Sequence, residues 1–191
     1  SSSNNKYQGF IDTVVQEIKD DLGKNPYMVA MEIYTTMDPR VQDIVNNVMT
    51  GATFTWENPV VDAGITVMNP QTGAIAGIGT GRDTSQEGLF NNATQIKRQI
   101  GSTSKPLYDY APSIEYNNTS TYTLLGDEEY QYSDGTPISN YDGGYKGLVT
   151  AREAVVDSRN VPALKTFQKI NKKNLLEMIK GLHLSPELDS T

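Results

Sequence analysis

Cysteine is missing from this 191-residue chain. That excludes disulfide frameworks, thiol nucleophiles and Cys-ligated zinc. Histidine occurs once, at His183. No HExxH helix or His-based metal cluster can be written, and a Ser–His–Asp triad would have to use a residue near the end of the chain. Basic residues are the minority, 16 against 23 acidic, for a formal net charge of −7. Phosphate affinity needs clustered Lys and Arg, so this balance argues against a nucleic-acid binder. No apolar run approaches the ~18 residues needed to span a bilayer. The opening SSSNNKYQGF has no apolar core of a signal peptide,. What is present, 37% hydrophobic and 20% charged residues, is the composition of an ordinary globular protein,. The length suits one domain or a part of a larger one.

Ser1 to Asn5 read as a disordered polar tail. Phe10, Val14, Ile18 and Leu22 recur every fourth residue and predict a helix stopped by Gly23 and Asn25-Pro26,. MVAMEIYTT (28–36) predicts a strand. Asp38-Pro39 is a cap followed by proline at the first helical position. Val41, Ile44, Val45, Val48 and Met49 then line one face, closed by Gly51. AGITVMN (63–69) and AIAGIG (74–79) predict a hairpin across Pro70–Gly73 with a buried second strand. Its glycines, with Gly81, match no dinucleotide or phosphate-loop spacing. A polar loop over 80–101 leads to a helix starting near Ser102. Residues 115–147, rich in Tyr, Asn, Asp and Gly, predict a long irregular excursion, a type of segment that is usually functional. Within it Asp127-Glu128-Glu129 reads as a solvated acidic run. Thr150 and Glu153 form a capping box. Asn160 before Val161-Pro162 reads as a helix cap. Asn171 caps a last helix with Leu175, Leu176 and Ile179 inward and Gly181 as its stop.

One pattern with chemistry remains, Ser-x-x-Lys. It occurs at Ser102–Lys105 and again at Ser3–Lys6, and chance alone supplies about one match in a chain with 13 Ser and 11 Lys,. Context separates them. Ser3 lies in the tail, whereas Ser102 follows Gly101 at a helix start. At i and i+3 the hydroxyl and the amine share a helical face. Lysine can activate a serine only when neutral. Bringing its pKa from ~10.4 to near neutrality costs roughly 4 kcal/mol of differential solvation, which demands burial among polar groups. A third group should therefore close over it. Ser158-Arg159-Asn160, at a helix–helix junction, is the candidate.

The order Gly-Ser-x-x-Lys-Pro, Tyr-x-Gly, Ser-x-Asn-x-Pro-Ala carries a resemblance. RQIGSTSKPLYDYAPSIEY (98–116) and GGYKGLVTAREAVVDSRNVPAL (143–164) resemble the transpeptidase domain of class A penicillin-binding proteins of Gram-positive type. IYTTMDPRVQ (33–42) is similar to the segment that joins their glycosyltransferase to that domain, and DAGITVMNPQTGAIAGIGTG (62–81) to their first two sheet strands. The resemblance implies an α+β fold, a mainly antiparallel sheet flanked by helices. It implies a tail and linker helix over 1–26, an interdomain linker over 27–60, and the N-terminal portion of the transpeptidase domain over 61–191. It implies Ser102 as the nucleophile on the D-Ala-D-Ala end of a peptidoglycan stem peptide, Lys105 as its base, and Ser158 as the proton relay to the leaving amine. Asn160 would bind the substrate or β-lactam amide and hold Lys105. It implies β-lactam acylation, no cofactor and no metal. The place of action would be the outer face of the bacterial cytoplasmic membrane, with the anchor in a segment outside this chain.

The family's third motif, Lys-Thr-Gly or Lys-Ser-Gly, does not occur. Lys165-Thr166-Phe167 ends on the wrong residue and Gln71-Thr72-Gly73 lacks the lysine. The expectation is therefore an N-terminal half that is inactive alone and needs a complementary C-terminal part. Two other readings stay open. One is a non-catalytic wall-binding or scaffolding module. The other is a serine β-lactamase or β-lactam sensor, for which Glu128 or Glu129 is the candidate deacylating base.

Overall fold

The computed structural model describes residues 5–83 and 88–184. The chain forms two compact units, Ser1–Arg98 and Gln99–Thr191. In the first, helix α1 spans Gln8–Leu22 and ends on Gly23, whose positive φ of 62° and N–H donated to the Lys19 carbonyl close the last turn,. Phe10 is buried, but Leu22 at the far end is 62% exposed. Helix α2, Pro39–Met49, starts as predicted: the Asp38 side chain accepts the Arg40 N–H at 2.9 Å,. Strands β1 (Ile65–Met68) and β2 (Ile75–Gly79) form the predicted antiparallel hairpin, Ile65 opposite Gly79.

Helix α2 packs on β2 through a polar residue that the apolar stripe did not include. Gln42 is 2% exposed. It donates to the Ile78 carbonyl and accepts the Ile78 N–H, both at 2.8 Å, so each buried backbone group has a partner,. Ile44, expected inward, is 63% exposed. The close approach uses Gly79, where a Cβ would lie 2.9 Å from Met49 Cγ. The strand expected over 28–36 does not form. Two bonds tie its end to β2, from Thr36 Oγ1 to the Ile75 carbonyl (2.6 Å) and from the Asp38 N–H to the Ala76 carbonyl (2.9 Å). Alternating apolar residues supply a pleat, but a strand also needs a continuous ladder.

The second unit holds the site. Gly101, at φ 57°, opens a 3₁₀ turn over Gly101–Ser104,. It runs into a π turn, Lys105–Tyr110, and then helix α3, Ala111–Asn117. The excursion that follows is not wholly irregular. Strand β3 (Leu124–Asp127) pairs antiparallel with β6 (Gly147–Thr150), and between them β4 (Tyr130–Gln131) pairs with β5 (Pro137–Ile138). Two-residue ladders are too short to leave a period in sequence. The capping box is present: Thr150 Oγ1 accepts the Glu153 N–H at 3.2 Å, and the Glu153 carboxylate accepts the Thr150 N–H at 2.7 Å. It starts helix α4, Ala151–Val156. Helices α5 (Asn160–Gln168) and α6 (Lys172–Gly181) follow, the latter capped by Asn171 as expected. Leu175 and Ile179 point inward, but Leu176 is 42% exposed. Gly181 is still helical, and the chain turns at His183, φ 54°.

Tyr110, Val149, Ala151, Ala154 and Ala163 form one core, joined by Leu125. It clamps the π turn between β6, α4 and α5. Ile170, Leu175, Ile179 and Tyr108 form another. The class is α+β with antiparallel pairing, as expected, divided among the described residues into three two-stranded sheets.

Candidate active site

The 3₁₀ turn explains how Ser102 and Lys105 meet. With three residues per turn, side chains at i and i+3 eclipse. Lys105 Nζ accordingly lies 3.1 Å from Ser102 Oγ. Ser102 is exposed, whereas Lys105 is only 8% exposed. The wider π turn then starts at Lys105, and such turns often mark functional sites,.

From the α4–α5 corner, Ser158 and Asn160 close over the amine. Lys105 Nζ is 2.7 Å from the Ser158 carbonyl, 3.0 Å from Ser158 Oγ and 2.7 Å from Asn160 Oδ1. Two of these four atoms, the Ser158 carbonyl and Asn160 Oδ1, can only accept. A neutral amine has two N–H groups and one lone pair. It can donate to both obligate acceptors and still take a proton from a serine hydroxyl. Burial holds the Lys105 pKa below its usual value, and the charge of Asp109 opposes that shift,.

Asp109, four residues on in the π turn, was not singled out by the sequence. Burial pushes its carboxyl up to about 7, against the pull of Lys105. It sits in no motif, and no spacing rule points to it.

Asn160 reaches Lys105 as expected but differs from expectation as a cap. Its side chain does not cap α5; it turns to Lys105 and donates from Nδ2 to the Ser139 carbonyl at 2.9 Å. The cap comes from elsewhere: Asn140 Oδ1 accepts the Asn160 N–H at 2.8 Å and reaches the Val161 N–H at 3.4 Å. The acidic run also differs. Asp127 is fully buried and accepts from Arg159 Nε at 2.8 Å. A carboxylate with a guanidinium in place need not be solvated. Glu128 is exposed and pairs with Lys165, while Glu129 is exposed.

The remaining candidates fall away from this cluster. Ser3 lies outside the described residues, and Lys6 pairs with Asp43 on the surface. His183 is exposed. Lys165–Phe167 lies in α5, and Gln71–Gly73 in the hairpin turn.

Residues 63–191 match the family described as the penicillin binding protein transpeptidase domain. The chain belongs to that family. It is of the class A, Gram-positive type. It is 39% identical to penicillin-binding protein 1A/1B of Bacillus subtilis over 189 residues, which is 99% of this chain and 20% of that protein. It is 32% identical to penicillin-binding protein 1A of Streptococcus pneumoniae, over 91% of this chain and 25% of that protein. The chain thus spans about a quarter or less of these relatives' length. The fold is similar to that of penicillin-binding protein PonA1 from Mycobacterium tuberculosis: the TM-score is 0.74 at 19% identity, over 91% of this chain and 45% of that one. A second structure of that protein is in complex with penicillin V. No described helix of this penicillin-binding protein chain is long and apolar enough to cross a membrane.

Proposed function

We propose that this chain supplies the serine–lysine half of a D,D-transpeptidase site that cross-links peptidoglycan stem peptides and is acylated by β-lactams. One observation carries the reading: the amine of Lys105 is enclosed by Ser102, Ser158 and Asn160, with two obligate acceptors for its two N–H groups.

In this reading Ser102 Oγ attacks the carbonyl of the penultimate D-Ala while its proton passes to the Lys105 lone pair. The backbone N–H of Ser102 is one donor to the oxyanion. The tetrahedral carbon then expels the amine of the last D-Ala, which receives the proton from Lys105 through the Ser158 hydroxyl. The amine of a second stem peptide attacks the ester carbon, and the C–O bond to Ser102 breaks. The amine's proton returns to Ser102, and the new amide is the cross-link. Asn160 binds the substrate amide with the groups that Lys105 leaves free. A β-lactam follows the same first step, its ring amide being the bond that opens.

Residues 1–26 act as tail and linker helix, 27–60 as interdomain linker, and 61–191 as the N-terminal portion of the transpeptidase domain. The site works at the outer face of the cytoplasmic membrane, anchored through a segment outside this chain. The chain alone does not turn over peptide, because the Lys-Thr/Ser-Gly strand that would bind the terminal carboxylate and add a second oxyanion donor is not in its sequence. Loss of one such donor costs about 10²–10³ in rate. A complementary C-terminal part restores acylation.

The test is labelling with a fluorescent penicillin, with and without that part. The expected result is labelling at Ser102 only when both are present. Equal labelling of Ser102→Ala removes the assignment of the nucleophile. Labelling that survives Lys105→Ala removes the assignment of the base, and no labelling even with both parts present favours a binding module over an enzyme.

A further inference from the structure

Behind the Ser158–Asn160 corner lies a polar cluster with no contact to the reacting atoms. Arg159, the middle residue of the Ser-x-Asn triplet, is 1% exposed. Its guanidinium fork is fully directed. Nε meets Asp127 Oδ2 at 2.8 Å, Nη1 meets Asp142 Oδ2 at 2.7 Å, and Nη2 meets the Gly144 carbonyl at 2.6 Å. Asp127 also accepts from Asn140 Nδ2 at 2.7 Å and from the Lys146 N–H at 3.0 Å. Asn140, 3% exposed, donates to the Gly144 carbonyl at 2.9 Å and presents its oxygen to the first N–H groups of α5. The Ser139 carbonyl, one residue before it, takes the Asn160 amide. Five residues of the excursion, Asp127, Ser139, Asn140, Asp142 and Gly144, therefore grip the backbone or side chains of residues 159–161 from behind.

The corner needs such a grip. Ser158 sits at φ 50°, a left-handed backbone that a non-glycine residue adopts at a cost,. It persists only where the surroundings over-determine it. Ser158 presents both its carbonyl and its hydroxyl to Lys105, and Asn160 presents its amide oxygen. Arg159 between them points the other way, so fixing Arg159 fixes the direction of both neighbours.

We propose that Arg159, Asp127 and Asn140 are positioning residues: a buried buttress, built by the 115–147 excursion, that aims Ser158 and Asn160 at the Lys105 amine. This deepens the transpeptidase reading and rests on it. The excursion then supports the chemistry through these residues.

Two measurements test the proposal, one without any need for activity. Asn140→Ala removes the cap on α5 and no charge. In this chain the amides of Asn160 and Val161 should exchange with solvent about tenfold faster, while those of Leu175 to Ile179 hold. Unchanged exchange overturns the proposal. The second uses the full-length polypeptide that carries this chain. Asp127→Leu with Arg159→Met replaces the buried ion pair by apolar groups and leaves no buried charge unpaired, the half-exposed Asp142 turning to solvent,. Its melting temperature should stay within about 3 °C of wild type. Its acylation by fluorescent penicillin should slow about tenfold or more, as misplacement of catalytic groups does. The acidic limb of its pH profile should move upward, because water reaching Lys105 relaxes the desolvation that lowers its pKa. Acylation within about twofold of wild type with the limb in place overturns the proposal. If the double variant does not fold, acylation by Asn140→Ala in the full-length polypeptide decides: slowing of about tenfold with the acidic limb moved upward supports the buttress, and a wild-type rate and limb overturn it. If wild type is unlabelled, the transpeptidase reading fails, and exchange still decides the buttress.

Discussion

The side-chain oxygen of Asn140 accepts the backbone N–H of Asn160 at 2.8 Å, so a residue twenty positions upstream caps the helix that Asn160 begins. This frees the Asn160 side chain for Lys105. Substituting a cap residue costs ~1 kcal/mol in most helices. Here the same bond also sets where the Asn160 amide points.

Asp109 predicts a pH dependence. Its carboxyl is raised from 3.8 to about 7 by burial. Between those values the folded chain holds a proton that the unfolded chain has released. Stability from this group is therefore present below about 3.8, falls as pH rises towards about 7, and is flat above,. Asp109→Asn should remove that slope in melts taken across the window. It should also shift the acidic limb of acylation to lower pH, since the Asp109 charge opposes loss of the Lys105 proton,. A limb that stays in place would show that Asp109 does not act on Lys105.

Ser158 predicts a split between stability and activity. Its left-handed backbone costs about 1 kcal/mol for any residue with a Cβ,. Ser158→Gly should be more stable than Ser158→Ala by about that amount. Both lose the hydroxyl and should slow acylation by about 10²–10⁴, the range for a lost proton-transfer group. Equal melting of the two variants would mean that the corner is not strained.

How much of this was legible beforehand follows from the range of each interaction. Local devices were: Asp38-Pro39, the Thr150–Glu153 box and the Asn171 cap all act within three residues, and all are present. The Ser102–Lys105 pair has the same character, because one turn of chain fixes it. The pairing of Arg159 with Asp127, 32 positions apart, was not legible, since nothing in an acidic run says which member finds a buried guanidinium. Asn160 is not the cap of α5 for a related reason. Its residue type satisfies the local rule, but a distant asparagine satisfies the helix first. Asp109 left no pattern at all.

Thr150→Ala removes one half of the capping box and should cost about 1 kcal/mol of stability in thermal unfolding,. Glu153→Gln should cost less, because its amide oxygen still accepts the Thr150 N–H. A reversed order would place the stabilisation in the charge rather than in the hydrogen bonds.

In the first unit, Gly64 is confined by backbone. A Cβ there would lie 2.4 Å from the Asn92 carbonyl carbon and 2.5 Å from the Ala93 nitrogen. Main chain cannot swing aside as a side-chain tip can. Gly64→Ala should lower stability by about 1–3 kcal/mol, the usual range for overpacking. Wild-type melting of this variant would mean that the 91–93 segment gives way freely.

The β3–β6 pairing also bears on how a newly made chain closes its site. Lys105 and Ser158 are 53 residues apart, and joining the ends of a featureless loop costs more the longer the loop is,. Zipping β3 onto β6 draws Leu124 and Thr150 together first and shortens the gap by about half, which lightens closure by about 0.6 kcal/mol,. Pairing of β3 with β6 thus favours closure of Lys105 onto Ser158, and the amine can be fully enclosed only once the ribosome has delivered Asn160,.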